Sequence, residues 1–127
     1  MKPKSLPVLF QNIPLSLRTI PRWLLWNYVE IGEGDNKRWS KLPVQASGKA
    51  ASSTNATTWT DFHSVEAAFV TGRFDGIGFV FTGDDNIIGV DLDDCFDDST
   101  NQYTNPELEH IANNIEGYKE ISPSGTG

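Results

Sequence analysis

Between Arg22 and Ile31 the chain reads Arg-Trp-Leu-Leu-Trp-Asn-Tyr-Val-Glu-Ile, a run of aromatic and β-branched residues that predicts a strand. The glycine-bearing polar stretch 32–36 predicts a turn, and residues 37–42 a returning strand, so that the two form a hairpin ending at Pro43. Alternation along this hairpin is expected to let Trp26 and Trp39 pack across it. Residues 45–57 are small and polar without any period, which predicts a loop. A helix is expected to start at Thr58-Trp59-Thr60-Asp61, since Phe62, Val65 and Phe69 recur at helical spacing and Gly72 is placed to end it.

Farther along, Gly76–Phe81 and Ile87–Asp93 are two apolar, β-type runs joined by Thr82-Gly83-Asp84-Asp85-Asn86, the pattern of a second hairpin. Asn105 is placed to cap a helix with Pro106 at its first position, and Leu108, Ile111, Ala112 and Ile115 give it an apolar stripe that stops before Gly117. Tyr118–Ile121 predicts a last strand, followed by Ser122-Pro123-Ser124-Gly125-Thr126-Gly127, and near the start Pro14–Ile20 predicts one helical turn. Together these elements predict an α/β fold of the α+β type: a mixed, largely antiparallel sheet with hairpins and flanking helices. Residues 1–127 are read as one domain, with 1–12 as a candidate flexible lead.

Charge changes this picture, because the net −7 conceals a lopsided distribution. Residues 1–50 hold eight basic and three acidic side chains, net +5, whereas residues 51–127 hold two basic and fourteen acidic ones, net −12. A basic segment able to touch phosphates beside an acidic one able to hold divalent cations suits a nucleotide-polymerising site. The lone Cys95 excludes an internal disulfide and a Cys-rich zinc site, and is expected to be a small buried filler. With only His63 and His110 present, any metal is expected to be hard and oxygen-bound. No apolar run approaches the ~20 residues that cross a bilayer, Pro7 interrupts the apolar stretch near the start, and the expected location is the cytoplasm.

The sharpest chemical signal is Val90-Asp91-Leu92-Asp93. On a strand the period of two puts both carboxylates on one face, with Cα atoms roughly 6.5–7 Å apart. Their mutual repulsion calls for compensation, and Mg²⁺ or Mn²⁺ bridging carboxylate and phosphate oxygens would supply it. The motif also occurs in nucleotide-sugar transferases and phosphatases. In the final stretch, Ser124 and Gly125 are candidates for a phosphate cradle built from backbone N–H groups. Lys41 is the preferred phosphate contact, and Arg22 and Arg38, set among the tryptophans, are weaker candidates for touching DNA. The tryptophans themselves are assigned mainly to the core.

Taken in order, Ile13-Pro14, Trp23-Leu24-Leu25-Trp26, Trp39-Ser40-Lys41-Leu42-Pro43, Ser53-Thr54-Asn55-Ala56-Thr57-Thr58-Trp59, Gly76–Val80, Gly89–Cys95 and Glu120–Gly127 resemble the successive landmarks of the primase-polymerase domain. That domain opens many phage and plasmid replication proteins and belongs to the archaeo-eukaryotic primase superfamily. The resemblance implies template-directed addition of deoxynucleoside triphosphates to a DNA primer, with Asp91 and Asp93 as catalytic metal ligands for Mg²⁺ or Mn²⁺ and, in some relatives, a C-terminal helicase module. In such domains a His and a third carboxylate follow the Ser-Gly-x-Gly stretch, so the chain is expected to hold an incomplete site and to be inactive alone. Asn55-Ala56 departs from the more usual Asn/Asp-Pro. Two other readings stand beside this one: a non-catalytic module that grips DNA or a replisome partner, and another Asp-x-Asp metal enzyme such as a nucleotide-sugar transferase.

Overall fold

A computed structural model describes residues 1–127 and divides into two compact units, Met1–Pro3 with Val8–Ile87, and Lys4–Pro7 with Ile88–Gly127. The fold is a mixed one of helices and antiparallel sheets, as expected.

In the first unit, β1 (Trp23–Ile31) is the centre of a three-stranded antiparallel sheet, flanked by β2 (Arg38–Val44) and β3 (Gly76–Phe79) in the order β2-β1-β3. Alternation sends Trp23 and Leu25 into a core shared with Ile13, Val44, Phe62, Val65, Ala68 and Phe74. Helix α2 (Phe62–Phe69) supplies three of these, and its N-terminus is capped by Asp61, whose carboxylate accepts from the Ser64 N–H at 2.8 Å. The helix starts a few residues later than expected because Ala56–Thr58 forms its own 3-10 turn, capped by Asn55. A short helix, α1 (Leu15–Arg18), occupies the expected Pro14–Ile20 turn. Within the candidate flexible lead, Val8 and Phe10 pack against this core, and the Phe10 ring meets Phe62 and Phe69 edge-on at 6.0 and 5.6 Å.

The opposite face of the sheet is set by Trp26. Its indole lies over β3, donating from Nε1 to the Ile77 carbonyl at 3.1 Å, and a Cβ on Gly76 would come within 2.3 Å of its ring. Trp26 and Trp39 do not pack on one another. The register places Trp26 opposite Pro43 and Trp39 opposite Glu30, and Trp26 instead meets Tyr28 at 5.0 Å and the Lys41 ammonium at 5.3 Å. Pro43 lies inside β2 rather than after it, which an edge strand tolerates.

The second expected hairpin does not form. β3 pairs with β1, and Ile87–Asp93 makes no ladder, leaving Ile88 85% and Val90 58% exposed. Nor is Tyr118–Ile121 a strand; there the Tyr118 hydroxyl donates to Glu120 at 2.8 Å. Apolar β-type runs need a hydrogen-bonding neighbour as well as a pattern, and neither segment has one. The second unit is built instead on a two-stranded hairpin, β4 (Phe96–Asp97) with β5 (Gln102–Tyr103), and on α3 (Pro106–Asn114). Asn105 caps α3 by accepting from Glu107 and Leu108, with Pro106 at the first turn as expected.

Two measurements of stability by urea unfolding check this packing. Gly76→Ala drives a methyl into the Trp26 ring and is expected to cost about 2 kcal/mol, whereas Gly78→Ala, 3.1 Å from the flexible end of Leu24, costs less. Asp61→Ala is expected to cost about 1 kcal/mol at neutral pH. The Ser64 N–H and hydroxyl hold the Asp61 carboxyl below its ordinary 3.8, so its contribution is present above that pH and fades as the pH falls through the folded value.

Candidate functional site

The second unit brings the two sequence motifs of greatest chemical interest onto one stretch of backbone. Residues 122–127 close into a turn: the Gly125 N–H donates to the Ser122 carbonyl at 2.8 Å, and the Gly127 N–H to Ser122 Oγ at 3.1 Å. The turn is then clasped to residues 92–98. The Cys95 and Phe96 N–H groups both donate to the Thr126 carbonyl, at 2.8 and 3.0 Å, and the Asp98 N–H to that of Gly125 at 3.2 Å. Two glycines permit this approach. A Cβ at Gly127 would stand 2.6 Å from the Leu92 carbonyl oxygen, and one at Gly125, where φ is +81°, would stand 2.8 Å from Asp98 Cβ. Cys95 is buried as expected, with Sγ 3.3 Å from the Leu92 carbonyl that it faces.

Asp91 and Asp93 flank that same Leu92, and both are exposed. Neither takes an ion pair or a hydrogen bond from a side chain, unlike Asp97, whose carboxylate accepts from the Ser99 N–H and hydroxyl at 2.9 and 2.6 Å and is held below its ordinary range by them. Asp97 is thus committed to the β4–β5 turn. The two free carboxylates are hard oxygen donors of the kind Mg²⁺ and Mn²⁺ accept, in a unit whose nine acidic and two basic side chains give it net −7. No group of three or more His, Cys, Asp or Glu side chains converges anywhere in the chain. The donor set therefore fits a hard cation in kind but offers it two side chains.

In the turn, Ser124 Oγ lies 2.9 Å from both Ser122 Oγ and Thr126 Oγ1, which forms a short relay of hydroxyls. The N–H groups of Ser124 and Thr126 have no acceptor in the chain, while those of Ser122, Gly125 and Gly127 are used within the turn. Ser124 presents a hydroxyl and a free N–H, the equipment of an anion site; Gly125 serves by its positive φ and spends its own N–H on the turn.

The basic candidates all belong to the first unit. Lys41 and Arg38 are exposed on β2, Lys41 with its ammonium over the Trp26 ring. Arg22 is not available to DNA as expected: it is 8% exposed, with its guanidinium over the Phe79 ring and its N–H groups donated to Thr82 Oγ1 and the Asp85 carboxylate. Thr82 in turn donates to Asp84, whose carboxyl it holds below the ordinary range. Asp84 and Asp85, read from sequence as turn residues only, are the acidic side of this network. Nothing in the local sequence spacing marks an ion pair between positions so far apart.

Within a mixed fold of helices and antiparallel sheets, an exposed Asp-x-Asp and a Ser/Gly turn thus share one backbone seam. No family model matches the chain. Over 114 residues, 88% of its length, it is 32% identical to the DNA primase-polymerase of Nitratiruptor phage NrS-1, and the matched stretch is 14% of that protein. Over most of its length the chain is thus similar to a primase-polymerase, in keeping with the resemblance read from its motifs.

Removal of the Arg22 guanidinium leaves Asp85 without its cation and the 82–86 turn unpinned. Arg22→Ala is expected to cost about 2 kcal/mol in urea unfolding, and Arg22→Lys to recover part of that, since a lysine keeps the charge but cannot reach both acceptors with one planar fork.

Proposed function

We propose that this chain supplies part of a metal-dependent nucleotidyl-transfer site that extends a DNA primer, as a segment of a longer primase-polymerase. Asp91 and Asp93 would hold Mg²⁺ or Mn²⁺, and the Ser122–Gly127 turn would receive the phosphates of a deoxynucleoside triphosphate through Ser124. The observation that carries this reading is the clasp of the turn onto the backbone between and beyond the two aspartates, which ties a phosphate-type loop to a carboxylate pair. The similarity to the phage DNA primase-polymerase supports it.

The chemistry asked of these residues is mainly positioning and electrostatics. A divalent metal supplies charge neutralisation of the triphosphate and a lowered pKa for the primer hydroxyl when bound. Asp91 and Asp93, exposed and free of partners in the chain, can turn their oxygens to it without first breaking internal bonds. The unpaired N–H groups of Ser124 and Thr126 are donors for phosphate oxygens, and the hydroxyl relay fixes the turn that presents them. Lys41 and Arg38 remain candidate contacts for the DNA backbone. The longer protein would bring further ligands, in keeping with the two side chains counted at the metal site, and a helicase module and a cytoplasmic setting are part of the same proposal.

The test is primer extension in the full-length protein with Asp91→Asn and Asp93→Asn. Each change is expected to lower incorporation by at least a hundredfold in Mg²⁺ or Mn²⁺ while leaving the unfolding curve unchanged. Ser124→Ala is expected to raise the KM for the triphosphate severalfold. Undiminished extension by both aspartate variants would remove the catalytic reading and leave the non-catalytic DNA-binding module.

A further inference from the structure

The first unit holds a small cavity that the reading above does not use. It measures about 210 Å³ and lies against Leu24, at the end of the sheet face that carries Trp26. Its walls come from two loop segments, residues 45–47 after β2 and residues 58–60 before α2. Both are held in place. The Thr60 N–H and carbonyl bridge to Trp23 at 2.8 and 2.9 Å, Thr58 Oγ1 donates to the Asn55 carbonyl at 2.7 Å, and the Gln45 side-chain amide donates to the Ala50 carbonyl at 2.8 Å.

The lining defines the chemistry of an occupant. Trp59 contributes an indole whose Nε1 is tied to the Ser52 carbonyl at 2.7 Å, so the ring cannot swing away. Leu24 gives an apolar floor. The hydroxyl of Thr60, that of Ser47 and the carboxamide oxygen of Gln45 supply polar atoms not committed to strong internal bonds. No charged side chain lines the cavity, which disfavours a phosphate, a carboxylate or a metal ion as occupant. The volume is below the roughly 300–1,000 Å³ of pockets for drug-sized ligands, which restricts the occupant to something about the size of one heteroaromatic ring system. Lys49, exposed and without an acidic partner, lies two positions beyond Ser47, outside the cavity.

We propose that this cavity binds a single nucleobase, stacked on Trp59 and held at its edge by Thr60, Ser47 and Gln45, with Lys49 meeting the attached phosphate. Among neutral planar ligands the choice of a nucleobase rests on the DNA-handling reading, but the site is separate from Asp91 and Asp93 and needs no metal. The base could come from a single strand of DNA or from a free nucleotide, and the two sources are separable.

The experiment is amide NMR of the isotopically labelled chain in EDTA, titrated in parallel with short oligothymidylate, with the abasic strand of equal length, and with thymidine 5′-monophosphate. The Trp59 indole resonance, assigned by Trp59→Phe, and the amides of residues 45–47 and 58–60 are expected to shift with ligands that carry a base and not with the abasic strand. Shifts from the oligonucleotide at far lower concentration than from the mononucleotide would identify strand DNA as the source, and the reverse order a free nucleotide. Gln45→Leu, which removes a polar edge of the cavity, is expected to weaken the preferred ligand at least tenfold. Equal shifts from the abasic strand, or shifts confined to residues away from the cavity, would overturn the proposal. Because EDTA removes any metal, such a failure leaves the fate of the aspartate pair to primer extension alone.

Discussion

Everything at the site depends on how closely the Ser122–Gly127 turn can approach the backbone of residues 92–98. The approach is a matter of backbone against backbone: the Thr126 carbonyl accepts two N–H groups at once, and the Gly125 carbonyl a third. Side chains would forbid it at two points, opposite Leu92 and opposite Asp98, and glycine occupies both. The hydrogen bonds use carbonyls of the turn, so its Ser124 and Thr126 N–H groups stay free for an anion. One constraint thus sets the turn against residues 92–98 and puts Asp91 and Asp93 on either side of the residue that Gly127 touches.

The first unit obeys a different rule, the filling of space by rings. Trp23 meets Phe62 and Phe79 edge-on at 5.0 and 5.2 Å within the core, while Trp26 occupies the room that Gly76 leaves on the other face. Arg22, next in sequence to Trp23, lies over Phe79 and pins the 82–86 turn through Asp85 and Thr82. Its eight basic and eight acidic side chains balance, so the chain's excess negative charge resides wholly in the unit with the carboxylate pair. A field of that sign attracts cations and repels free anions.

Local patterns were legible where they carry their own hydrogen bonds. The β1–β2 hairpin, α2 and α3 could be placed from period, caps and turn residues, because a hairpin and a helix satisfy their backbones within a short span. Ile87–Asp93 has the composition of a strand and no partner, and composition alone does not provide one. The Trp26–Trp39 pairing failed on register: the connection runs through a 3-10 turn at Gly34–Asn36 that aligns Trp39 with Glu30. At the site, the Asp-x-Asp and the Ser/Gly stretch were recognisable as motifs, but their junction was not, since it rests on carbonyl acceptors that every residue possesses. The engagement of Arg22 was not legible, because an arginine among tryptophans reads the same whether it faces DNA or a carboxylate of its own chain.

The central claim is that the aspartate pair and the Ser/Gly turn work as one metal and phosphate site. Paramagnetic Mn²⁺ at substoichiometric amounts reports directly on proximity in amide NMR spectra. The account predicts that the amides of residues 91–95 and 122–127 broaden together and first, that Asp91→Asn with Asp93→Asn abolishes the effect, and that a deoxynucleoside triphosphate strengthens it at Ser124 and Thr126. Broadening that spreads evenly over the other acids of the unit, such as Glu107, Glu109 and Glu116, and survives loss of the two aspartates would contradict it.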